Sequence, residues 1–141
     1  MKDHSITRIT SKLLIPYILV FGLYVQFHGD FGPGGGFQAG VIFGAGIILF
    51  SLIFGLREAK RVFPPRFAEL GTAFGVLLFA GVGIASMYLG ANFLDYSVLS
   101  HDPVHGQHLG VLLVELGVGI TVTCVMVTIF FQFAGREKVS K

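Results

Sequence analysis

Glu115 is the one acidic residue inside a long apolar run, flanked by valine, leucine and glycine in "HLGVLLVELGVGITV". A charged carboxylate at the middle of a bilayer costs about 2.5 to 3.5 kcal/mol even on lenient insertion scales, so such a group is expected to face a partner or water and to mark an ion path. Its chemistry would be proton uptake, or oxygen coordination of a hard cation such as Na+. A partly desolvated carboxyl can exchange protons near neutral pH. The competing reading is a structural acid hydrogen-bonded to a neighbouring helix or subunit. His108 precedes it by two helical turns and would stand above it on the same face, where an imidazole can pass protons to the carboxylate. A plainer role for His108 is contact with water and headgroups.

The stretch "HDPVHGQH" holds His101, Asp102, His105 and His108, whose histidines have helix-like spacing. Pro103 and Gly106 argue against a continuous helix there, and no metal site is expected. With Asp95 upstream, and His28 and Asp30 in an earlier connection, these residues predict an acidic, imidazole-rich surface able to attract cations. The single Cys124 excludes a disulfide or a thiolate metal cluster within the chain. No second carboxylate or Ser-His-Asp set accompanies Glu115 inside the apolar runs, so no catalytic residues and no cofactor are expected.

The elements that position these groups follow from composition. The chain has 141 residues, 53% hydrophobic and 13% charged, with a mean hydropathy of +0.77. That balance marks an integral membrane protein. A bilayer core about 30 Å thick needs roughly 20 apolar helical residues, and four segments qualify, at about 9–27, 35–56, 70–89 and 109–133. The expected fold is therefore all-α, a single membrane domain over 1–141 with four transmembrane helices. The first segment lacks a small-residue cleavage site and is expected to stay in place. Lys12 interrupts it, one turn inside, where the side chain can snorkel along its apolar stem.

Lys2, Arg8 and Lys12 precede the first span, Arg57, Lys60, Arg61 and Arg66 lie between the second and third, and Arg136, Lys138 and Lys141 follow the fourth. All ten basic residues thus fall on one side, which predicts both termini in the cytoplasm. The inner connection "LREAKRVFPPRFAEL" reads as a compact polar hinge stopped and restarted at Pro64-Pro65. Fifteen phenylalanines and no tryptophan imply lipid-facing or intersubunit packing, with Tyr17, Tyr24, Tyr88 and Tyr96 as candidate interface anchors.

The glycine string "HGDFGPGGGFQAG" opens the second span. A phosphate cradle would need a lysine and a serine or threonine that this string lacks. Gly32, Gly36, Gly40 and Gly44 recur every four residues and predict a smooth helical stripe that lets another helix approach closely. Gly71 and Gly75 give the third span a shorter stripe. Pro33 suits a first helical turn; Gly34 and Gly35 complete the string, and Phe37 and Gln38 follow it as contacts for a helix or partner subunit.

These residues carry a resemblance. "FHGDFGPGGGFQAGVIFGAG", together with "HLGVLLVELGVGITV", resembles the B subunit of the multisubunit Na+/H+ antiporter, the Mrp or Mnh complex, over nearly the whole chain. Family members often read Gly-His before the Pro-Gly-Gly-Gly-Phe-Gln string, where this chain has His28-Gly29-Asp30. The module is also similar to the C-terminal part of the antiporter's large A subunit and to a subunit of membrane-bound hydrogenases. The resemblance implies a non-catalytic subunit in a bacterial plasma membrane, partnered by large proton-channel subunits and small membrane subunits and handling Na+ and H+. Its service would be Na+ extrusion and pH homeostasis. The equivalent subunit of a redox-driven ion pump and a purely structural scaffold stay open as alternatives.

Overall fold

The computed structural model describes residues 3–29 and 34–136; Asp30, Gly32 and Pro33, singled out above, lie outside the described residues. Among the described residues, five α-helices and one 3-10 turn make up the regular structure, and no strand occurs. They are α1 (Asp3–Phe27), α2 (Gly36–Phe54), α3 (Leu56–Val62), α4 (Pro65–Tyr88), the 3-10 turn Tyr96–Leu99 and α5 (Pro103–Arg136). Four are long and apolar enough to cross a membrane: Ser5–Phe27, Gly36–Phe54, Pro65–Tyr88 and Pro103–Arg136.

Three helices outrun their expected limits, each for a local reason. α1 reaches back past Arg8 and Lys12, whose cations lie 5.4 and 5.9 Å from the centre of the Phe54 ring at the end of α2. The apolar stems lie along the bundle while the charges meet an aromatic face. α4 begins at Pro65, where the missing N–H costs nothing in a first turn. α5 begins at Pro103 and runs 34 residues, about 51 Å at 1.5 Å per residue, through Gly106 without a break. The expectation that Pro103 and Gly106 interrupt the helix is corrected. Asp102 accepts from the Val104 N–H through Oδ1 at 3.1 Å, and its carbonyl accepts from Gly106 N at 3.0 Å. Asp102 followed by proline is a helix start.

The connection between α2 and α4 is more ordered than a hinge. Gly55, at φ 97°, turns the chain from α2 into α3, and Ala59 of α3 is 1% exposed against Val127 and Phe131 of α5. Lys60 caps that contact with its ammonium 5.8 Å from the Phe131 ring centre. The seven described basic residues, Arg8, Lys12, Arg57, Lys60, Arg61, Arg66 and Arg136, gather at this end, where α1 and α4 start and α2 and α5 finish.

α5 is the central helix, with α4 on one side and α2 on the other, and α1 packs mainly against α2 while Gln26 near its end reaches α5 at Gly119. Lipid gives helices no hydrophobic reason to associate, so close backbone approach must do it. The stripe on α2 meets a parallel α5 in register. A Cβ at Gly36 would overlap the Glu115 backbone, one at Gly40 would lie 2.7 Å from the Gly119 carbonyl oxygen, and one at Gly44 3.3 Å from Met126 Cβ. The stripe on α4 meets α5 antiparallel. A Cβ at Gly75 would lie 2.6 Å from the Gly117 carbonyl oxygen, and one at Gly71 2.5 Å from Cys124 Sγ. Between α1 and α4 a cleft of about 570 Å³ remains, walled by apolar side chains such as Leu23, Phe27, Leu70 and Phe74.

Candidate functional site

Glu115 stands where α1 ends, α2 begins and α5 passes. Its carboxylate lies against Gly29, just past α1, and Gly35, just before α2: Oε2 is 2.8 Å from the position a Cβ would occupy at Gly29, and Oε1 is 2.8 Å from that position at Gly35. Gly35 has φ 144° and ψ −176°, a conformation open to glycine almost alone, and it is the N-cap of α2. Its carbonyl accepts the first helical bond, from Ala39 N at 3.0 Å. The free N–H groups of a helix start and the positive end of its dipole favour a nearby anion. A half-buried acid is thus held at the start of α2 by glycines that leave it room. An open cavity of about 350 Å³, bordered by Gly34, Phe37, Gln38, Val114 and Val118, gives Glu115 access to the outside of the bundle.

Immediately beneath lies a residue that sequence reasoning missed. Gln26 of α1 is 5% exposed. Its Oε1 is 2.8 Å from the Cβ position of Gly119, and the Gly36 carbonyl oxygen is 3.1 Å from that same point. Its Nε2 is buried with no hydrogen-bond partner among the described residues. A glutamine two residues before His28, at the end of an otherwise apolar span, was the available signal. One turn further along α5, Thr123 donates to the Gly40 carbonyl at 3.1 Å and to the Gly119 carbonyl at 2.8 Å.

The remaining candidates separate from this site. His108 is exposed, two turns toward the outer end of α5 from Glu115, and it has interactions of its own. His28 closes α1 and stacks on Tyr24 with ring centres 5.0 Å apart. Phe37, 63% exposed, and Gln38 point outward from α2, away from the packed stripe. His101 precedes α5 and is exposed, while His105 pairs with Asp102 across 2.9 Å. Among the described residues no group of three or more His, Cys, Asp or Glu could hold a metal ion.

Both described loop acids serve the backbone. Asp95 accepts from the Ser97 hydroxyl at 2.6 Å and from Ser97 N at 3.2 Å, and these bonds hold its carboxyl below the usual aspartate range. Asp102 is lowered too, chiefly by His105 and then by the Val104 N–H. The loop they shape folds onto α5: Tyr96 packs on Gly110, with its carbonyl beside Gly106. Tyr96 is therefore half-buried, whereas Tyr88, at the end of α4, is 92% exposed.

Four helices long and apolar enough to cross a membrane, packed through glycine, define a polytopic membrane protein. The family described as "Domain related to MnhB subunit of Na+/H+ antiporter" matches residues 6–128, and the chain belongs to it. It is similar to the protein named "Putative antiporter subunit mnhB2" in Staphylococcus haemolyticus (strain JCSC1435), 35% identical over 141 residues, covering 97% of this chain and 99% of the relative. The protein of the same name in Staphylococcus aureus (strain Newman) is 35% identical over 139 residues, covering 96% and 98%.

Proposed function

We infer that this chain is a membrane subunit of a multisubunit Na+/H+ antiporter in a bacterial plasma membrane, and that Glu115 lies on its ion pathway. Family membership and full-length relatives named as antiporter subunits support the first statement. They lend nothing to the redox-pump alternative. The observation that carries the second is the seat of the Glu115 carboxylate, against Gly29 and Gly35 at the start of α2 and bordering an open cavity. A carboxylate held there can take a proton, or give oxygens to Na+, and release either to the outer side. Clustering of the basic residues at the opposite end supports both termini in the cytoplasm, which turns the Glu115 end outward. The chain works beside larger proton-conducting subunits, contributing to assembly and to cation passage during Na+ extrusion and pH homeostasis.

Glu115→Gln keeps the shape and removes the charge. Inverted vesicles carrying the assembled complex should lose most Na+-driven proton movement with the subunit still present. Full antiport with unchanged apparent Na+ affinity would remove Glu115 from the path.

A further inference from the structure

We propose that the polar pocket at the basic end of the bundle, where α3, α4 and α5 meet, holds the phosphodiester head of an anionic membrane lipid. The pocket measures about 280 Å³ and is bordered by Lys60 of α3, Pro65 and Glu69 of α4, and Phe131, Gln132 and Arg136 of α5. It lies about 25 Å along α5 from Glu115 and does not depend on the role of that acid. Two cations and one acid line this single space, and among the described residues none of the three makes an ion pair. They leave one net positive charge, the complement of a singly charged phosphodiester.

Each side chain has a part in holding such a head. Lys60 is half-buried, with its ammonium 5.8 Å from the centre of the Phe131 ring. The ring face offers no lone pair, so the ammonium N–H donors remain for an anion. Arg136, exposed in the last turn of α5, brings a planar fork that matches two phosphate oxygens. The Gln132 amide adds a neutral donor beside them. Glu69 is an acceptor, which repels a bare phosphate and accepts from a hydroxyl. A head that carries hydroxyls next to its phosphate, as glycerol does, meets both signs.

A lipid rather than a soluble phosphate fits because of what lies further along the same face of α4. Val76 and Leu77, both exposed, stand two turns beyond Glu69, about 10 to 12 Å along the helix and at its middle. Ile129 of α5, one turn before Gln132, is exposed as well. A charged pocket at the helix ends, with an apolar stripe leading from it into the span, has the shape of a phospholipid head and chain. Basic pockets between spanning helices bind lipid heads in this way. A free phosphate makes no use of the stripe.

The test uses the assembled complex in phosphatidylcholine vesicles with a rising fraction of phosphatidylglycerol that carries a diazirine midway along one acyl chain. After illumination, mass spectrometry reads labelling of the α4 peptide that holds Val76 and Leu77. The fraction giving half-maximal labelling should rise about fivefold in Arg136→Gln and about fivefold in Lys60→Met. Arg136 is exposed and Lys60→Met keeps the stem beside Phe131, so both variants should fold. Arg57→Gln, which removes a cation at the same end but outside the pocket, should match the parent. Unlabelled phosphatidylglycerol should displace the probe, and phosphatidic acid, whose phosphate carries no glycerol head, should displace it less well. An unchanged fraction in both pocket variants overturns the site, as does an equal rise in Arg57→Gln, which would mark surface charge alone. Displacement by inorganic phosphate would give the pocket to a soluble anion and overturn the lipid, and equal displacement by phosphatidic acid would overturn the part given to Glu69.

Discussion

The two faces of α5 are packed by the same device and differ in what they enclose. Toward α4, Gly75 and Gly117 bring backbones together, and the hydroxyls nearby bond within their own helix: Thr121 to the Gly117 carbonyl at 2.8 Å and Thr128 to Cys124 at 2.8 Å. Toward α2, Gly36 and Gly40 bring backbones equally close, yet the seam also admits Glu115, Gln26 and a threonine that bonds across helices. One seam closes on itself. The other leaves the Gln26 amide nitrogen buried with no hydrogen-bond partner among the described residues.

Stability should not distinguish the seams. Gly36→Ala and Gly75→Ala each drive a methyl into the backbone or side chain of α5. Overpacking of this kind costs about 1 to 3 kcal/mol, and both variants should sharply reduce folded subunit in the membrane on immunoblots. Gly81→Ala, where nothing lies within 4 Å, should match the parent. Equal tolerance of all three would break the account of packing.

Transport should distinguish them. Gly35→Ala forces a methyl into a φ of 144° and against Glu115 Oε1. Strain of about 1 to 3 kcal/mol should show as reduced antiport in vesicles beyond any loss of protein. Cys124→Ala on the α4 side should leave antiport per complex unchanged. A smaller contrast lies in the threonines. Thr123→Val removes a bond to α2 worth about 0.6 kcal/mol on average for membrane helices, while Thr121→Val removes one internal to α5, so only the first should weaken detergent resistance measurably.

The smallest effect expected is in the loop between α4 and α5. Asp95 and Asp102 have folded-state pKa values below their unfolded ones, so the stability they add is fully present above the unfolded aspartate value of about 3.9 and fades as pH falls through the lower folded values. Proteolysis of this loop should therefore be flat between pH 5 and 8 and rise only in stronger acid. A change within that range would contradict this.

Much of this was legible beforehand. Apolar runs marked four spans, and a four-residue glycine period marked the face of α2 that meets α5, since both are properties of a single helix. At the start of α5, Pro103 within a polar stretch reads as a breaker, whereas Asp102-Pro103 carries the signature of a cap and first turn. A glutamine at the end of an apolar span marks Gln26 as unusual, but its setting is not legible, because that depends on Gly36 and Gly119, which only folding brings to it. Neighbours that distant in sequence leave no periodic trace.

The most direct test of the central claim watches Na+ compete for Glu115. Carbodiimide labelling of the Glu115 peptide in assembled complex, with and without Na+ and with antiport measured on the same vesicles, should show labelling that abolishes antiport and is suppressed by Na+. Full labelling of Glu115 with antiport intact would contradict the claim that this carboxylate lies on the ion path.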